Sequence, residues 1–147
     1  MIPRAALLLG LAGLLPFLWG ALTLLVPGIG QIGASFLGQR LVAPFILLNY
    51  GTIILAFMSG VLWGFATKAE GQQAATGYAL SVIPALWAFF MVGGGAVASA
   101  IYLIAGFVGL LGLDYHFWRL GLAPGWWMRL RILLTTVVVA CIATLVI

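Results

Sequence analysis

No charged residue occurs between Glu70 and Asp114, and from Ala74 to Leu113 the chain is apolar almost throughout. As one helix at about 1.5 Å rise per residue, that stretch would be roughly 60 Å long, twice the hydrocarbon thickness of a bilayer. It must fold back on itself. Gly93-Gly94-Gly95 supplies the hinge, because glycine tolerates turn conformations. The pattern predicts two membrane spans, 74–92 and 96–113, joined by a very short turn.

Three more runs have spanning character. The first covers 5–26 and is closed by Pro27-Gly28. The second covers 41–65 and is closed by the polar stretch Thr67 to Gln73. The last covers 127–147. A span needs about 20 mostly apolar residues. Composition agrees, since 65% of the 147 residues are hydrophobic and 5% charged, where soluble domains carry about 25% charged residues. So few ionisable side chains cannot cover the core of a soluble domain this short. The expected fold is all-α: a polytopic membrane protein, one domain over 1–147, built as a bundle of about five transmembrane helices. No internal repeat suggests an inverted-repeat transporter.

Charge distribution tests the span count. Five spans put Arg4, Lys68, Arg119, Arg129 and Arg131 on one side and Arg40 alone on the other, a clear positive-inside pattern. Four spans scatter the same residues. The expectation is a cytoplasmic N-terminus and a periplasmic C-terminus. Trp63, Trp118, Trp126 and Trp127 then gather at the cytoplasmic interface, where tryptophan is favoured. Trp63, Trp126, Trp127, Arg129 and Arg131 are read as interfacial anchors. Pro3-Arg4 before a leucine-rich run resembles the start of a signal peptide, but the run reaches spanning length and is read as a retained helix.

The net charge of +4 comes from single cations between apolar segments, not from a cluster that could track phosphates, so nucleic acid is not an expected partner. Cys141 is the only cysteine, so no intramolecular disulfide is available. It reads as a small packing residue.

Several motifs bear on packing. Gly28-Ile29-Gly30-Gln31-Ile32-Gly33 matches a dinucleotide fingerprint literally but lacks the strand and α/β unit that give it meaning. It is expected to be a glycine-rich outer loop. Gly60-Val61-Leu62-Trp63-Gly64 presents two glycines four apart, a groove for a close helix neighbour. Gly95 and Ser99, then Gly106, Gly109 and Gly112, offer the same on the fourth span. These faces serve packing inside the bundle or docking of a partner, and internal packing is the favoured use. Pro16, Pro44 and Pro84 are expected to kink the first three spans.

Polar chemistry is sparse. No charged residue falls at the centre of an expected span, where transport sites usually declare themselves. Asp114, His116 and Arg119 follow the fourth span and read as an interfacial cluster linked to Arg129 or Arg131. One histidine and two acidic residues cannot complete a metal shell, and no nucleophile–base pair is visible. Neither metal nor cofactor is expected. Asn49, Tyr50 and Ser81 are the best candidates for interhelical hydrogen bonds and a small polar pocket.

The strings Gly10 to Phe17, Tyr50 to Gly64, Ser81-Val82-Ile83-Pro84, Asp114, and Pro124-Gly125-Trp126-Trp127-Met128-Arg129-Leu130-Arg131 occur here in order. With that order and spacing the chain resembles the family of small membrane proteins typified by transmembrane protein 69, a domain of unknown function. The resemblance covers nearly the whole chain. It implies a polytopic membrane architecture and, for a bacterial member, the inner membrane. It carries over no catalytic residue, and Ala56 stands where the family often has serine.

Two functions follow as expectations. The first is a non-enzymatic accessory or assembly subunit of a larger respiratory or photosynthetic membrane complex, with the bilayer and other membrane subunits as partners. The alternative is a protein that binds a small molecule or lipid, or a minor transporter, with a cavity lined by the second and third spans.

Overall fold

A computed structural model describes residues 1–147. It contains eight α-helices, α1 (Arg4–Ala12), α2 (Leu15–Leu25), α3 (Pro27–Leu37), α4 (Phe45–Ala66), α5 (Gly71–Ser81), α6 (Ile83–Met91), α7 (Ala96–Arg119) and α8 (Trp127–Ala143), with one 3-10 turn at Gln39–Leu41. The protein is an all-α polytopic bundle.

Four segments are long and apolar enough to cross a membrane: Arg4–Leu25, Phe45–Ala66, Gly71–Met91 and Ala96–Arg119. Two of them are jointed. The first breaks at Gly13-Leu14, where Pro16 enters the first turn of α2. The third breaks at Val82, where Pro84 enters the first turn of α6. Proline fits that position because its missing N–H is unpaired there anyway. Pro44 only precedes α4, so the expected kink in the second span is absent. The fifth element, α8, has 17 residues, about 25 Å at helical rise, and passes back beside α7 and α1.

The hinge between α6 and α7 forms at the expected glycines. Gly93 has φ +138°, a conformation glycine adopts without a Cβ penalty. Ser99 Oγ accepts from Gly93 N–H at 3.3 Å and donates to the Gly94 carbonyl at 3.4 Å. Buried Ser99 therefore staples this turn, while a Cβ on Gly95 would meet nothing within 4 Å, so Gly95 adds no close helix contact.

The glycine-rich segment after the first span is a helix, not a loop. α3 folds back on α2 because its glycines let it sit close: a Cβ on Gly30 would lie 2.6 Å from the Thr23 carbonyl oxygen, and one on Gly33 would lie 2.8 Å from Trp19 Cζ2. Trp19 Nε1 donates to the Leu41 carbonyl at 2.7 Å, and Thr23 Oγ1 accepts from Ala43 N–H at 3.0 Å. At 11 residues α3 is too short to span. The GxGxxG spacing is a packing pattern here.

The core is a seam of Phe17, Leu47, Leu55, Leu62, Leu103, Phe107, Leu110, Phe117 and Ile142. Gly106 lies inside it, since a Cβ there would sit 2.7 Å from Leu55 Cδ2 and 2.9 Å from Trp87 Cδ1. Gly60, Gly64, Gly109 and Gly112 have nothing within contact distance. Internal packing, the favoured reading of the GxxxG on the second span, is thus overturned: that face of α4 points out of the bundle.

Candidate functional site

The α7–α8 hairpin sets up the most polar point of the interior. α7 ends in a Schellman motif: Leu122 N–H donates to the Phe117 carbonyl and Gly121 N–H to the Trp118 carbonyl, with Gly121 at φ +77°. Glycine after the last helical turn and Pro124 shortly beyond are the usual stop signals. Trp118 Nε1 closes the turn on the Gly125 carbonyl at 3.2 Å. α8 then runs back along α7.

On α7 the buried residues include Leu103, Phe107, Leu110, Asp114 and Phe117. On α8 they include Arg131, Thr135, Val138 and Ile142. Steps of three and four define one helix face. Asp114 and Arg131 therefore occupy core positions in otherwise apolar stripes, opposite each other across the hairpin.

They are paired. Arg131 Nε donates to Asp114 Oδ2 at 2.8 Å, with side-chain exposures of 6% and 0%. Trp127 Nε1 donates to Asp114 Oδ1 at 2.9 Å, so both carboxylate oxygens are engaged. Arg131 Nη2 donates to Thr135 Oγ1 at 3.3 Å, one turn further along α8. Trp127 is held from behind by Phe65, edge to face at 5.1 Å between ring centroids. Charge-assisted hydrogen bonds of this kind are the strong ones. No buried side-chain nitrogen or oxygen is left unpartnered.

This arrangement corrects three expectations. Arg131 is not an interfacial anchor but a buried ion-pair member. Trp127 is not simply set at the interface, since its indole N–H serves Asp114. The Asp114, His116 and Arg119 cluster divides, because His116 and Arg119 are exposed while Asp114 is sealed inside. Arg129 is exposed at the start of α8, as an anchor would be. Trp126 is half-buried beside Trp127, and exposed Trp63 packs on Tyr78 at 4.6 Å. Sequence reasoning linked the Asp114 cluster to Arg129 or Arg131 but put the contact at the interface, because it ended the fourth span at Leu113, although the spacing from Leu103 to Phe117 carries Asp114 on the buried stripe.

The expected polar pocket of Asn49, Tyr50 and Ser81 does not assemble. Tyr50 Oη donates to the Gly13 carbonyl at 3.1 Å, at the break between α1 and α2. That is an interhelical bond, as expected of Tyr50. Asn49 is exposed, in a shallow groove with Pro16, Arg40 and Tyr50. Ser81 Oγ donates locally to the Tyr78 carbonyl at 2.7 Å. The second and third spans are joined instead by Ser59, whose Oγ accepts from Ala85 N–H at 2.8 Å. The break at Val82 leaves that N–H without its helical acceptor, and Ser59 supplies one.

A cavity of about 150 Å³ lies against the ion pair, lined by Gly13 and Phe17 of the first span, Met58 of α4, Phe107 of α7, and Arg131 and Thr135 of α8, among other residues. The expected lining by the second and third spans is not found in it: the third contributes nothing.

A family model described as "Protein of unknown function (DUF3429)" matches residues 2–147. The chain belongs to this family. Transmembrane protein 69 of Xenopus tropicalis is 33% identical over 141 residues, which cover 93% of this chain and 51% of that protein. The chain thus spans about half the length of the curated relative. No solved structure matches it. For a DUF3429 member, the aligned extent places the whole bundle, including Asp114, Trp127 and Arg131, inside the family region.

Proposed function

We propose that this DUF3429 protein is a non-enzymatic accessory or assembly subunit of a larger membrane complex, respiratory or photosynthetic, in a bacterial inner membrane. The observation that carries this reading is the outward face of α4. Asn49, Ile53, Ala56, Gly60, Gly64 and Thr67 follow at steps of three and four, and all are exposed. Gly60 and Gly64 meet nothing within the chain. Small residues at this spacing let a second transmembrane helix approach closely, and a polar amide at one end suits a hydrogen bond across the contact. The occupant is a transmembrane helix of another subunit.

Charge supports the orientation. With Arg131 neutralised inside the bundle, Arg4, Lys68, Arg119 and Arg129 remain at one end and Arg40 at the other. Positive-inside bias favours a cytoplasmic N-terminus and a periplasmic C-terminus.

The test is extraction of the tagged protein from its native membrane in mild detergent, with mass spectrometry of what accompanies it. A stoichiometric membrane complex is expected with the native chain and lost with Gly60→Leu and Gly64→Leu, while the thermal midpoint of the bundle stays unchanged. Recovery of the native protein free of any partner would refute the reading.

A further inference from the structure

Arg131 is 5% exposed and its guanidinium is only partly used. Nε serves Asp114 and Nη2 serves Thr135, while Nη1 makes no hydrogen bond within the chain. Since no fully enclosed side-chain nitrogen lacks a partner, Nη1 is not sealed by protein. Arg131 lines the cavity of about 150 Å³ between α1/α2, α4, α7 and α8. The rest of its wall is largely apolar, from residues such as Phe17, Ile54, Met58, Phe107 and Leu134. Gly10 and Gly13 line its α1 side. The mouth is flanked by Leu9 and Phe57, which are 74% and 65% exposed, so it opens to the lipid side of the bundle.

We propose that this cavity binds the head of a neutral, carbonyl-bearing single-chain lipid, with the carbonyl oxygen accepting from Arg131. Three features select that chemistry. A donor at the inner wall calls for an acceptor. Asp114 already balances the guanidinium charge, so a carboxylate would bring an uncompensated charge into a buried site, at high cost. The volume suits a benzene-sized guest, so the head and first carbons enter and the tail leaves past Leu9 into the bilayer. Arg131 stands four residues into α8, about 6 Å from the helix start, a depth at which a lipid carbonyl is available. Acyl esters and alkyl quinones share this head chemistry.

The experiment is thermal unfolding of the purified full-length chain in maltoside detergent with four probes: methyl decanoate, decyl-benzoquinone, decanoate and decane. At least one carbonyl probe is expected to raise the midpoint, decane to leave it unchanged, and decanoate to act more weakly than its ester. The stronger of methyl decanoate and decyl-benzoquinone identifies the source as acyl or quinone. Leu9→Trp closes the mouth from an exposed position and leaves the ion pair intact. It is expected to weaken probe binding by at least about tenfold by blocking entry, without altering the ligand-free midpoint. The double variant Asp114→Leu with Arg131→Met is expected to lose the preference for the carbonyl probe over decane. The assignment is overturned if decane stabilises as well as the carbonyl probes, if decanoate outperforms its ester, if neither carbonyl probe moves the midpoint, or if Leu9→Trp binds like the native chain.

Discussion

Arg131 reaches across the α7–α8 hairpin to Asp114 at 2.8 Å, a single ion pair in the interior of a bundle with no other buried charge. Trp127 completes the carboxylate's hydrogen bonding. The pair ties the end of one long helix to the start of the next and fixes their register.

Removing one partner leaves the other charged, buried and unsatisfied. Asp114→Ala and Arg131→Met are each expected to destabilise the bundle by about 3–5 kcal/mol, while an apolar double replacement costs far less. Thermal midpoints of the single and double variants in one detergent measure the difference. Equal and additive losses would refute a coupled pair.

Trp127→Phe keeps a ring against Phe65 but removes the indole donor from Asp114. A hydrogen bond to a charged group contributes about 1.5–3 kcal/mol, and a loss of that order is expected. Trp126→Phe, which removes a neighbouring indole without touching Asp114, serves as the control and should lie near the native midpoint.

Ser59→Ala strands the Ala85 N–H at the joint between α5 and α6. The expected loss is about 1–3 kcal/mol. Ser59→Thr keeps the hydroxyl and should retain most of the stability. A native-like midpoint for Ser59→Ala would mean the N–H finds another acceptor.

Gly106 and Gly109 lie three residues apart on α7 but face different surroundings. Gly106→Val drives a side chain into Leu55 and Trp87 and is expected to cost about 1–3 kcal/mol. Gly109→Val faces open space and should change stability by less than about 0.5 kcal/mol. The same midpoint measurement separates the two, and equal effects would contradict the placement of Gly106 in the core.

Much of the architecture was legible without coordinates. Apolar runs of spanning length, the Gly93-Gly94-Gly95 hinge, and proline joints at Pro16 and Pro84 are local signals, readable because backbone sterics and the cost of charge in hydrocarbon act residue by residue. The Gly28–Gly33 segment misled because glycine spacing serves loops and close helix packing equally, and only the neighbours Thr23 and Trp19 decide between them.

The sequence by itself determined a membrane bundle, its approximate spans and its family resemblance, because hydrophobicity and periodicity are properties of a segment alone. Tertiary structure alone decided which faces meet: that Gly106 is enclosed while Gly60 and Gly64 face outward, that Tyr50 bonds Gly13 rather than Ser81, and that Asp114 finds Arg131 rather than Arg129, inside the bundle rather than at the interface. In a bundle apolar on nearly every side, hydropathy cannot tell a lipid-facing surface from a protein-facing one. That distinction arises only from close packing and from polar groups that must find partners across helices.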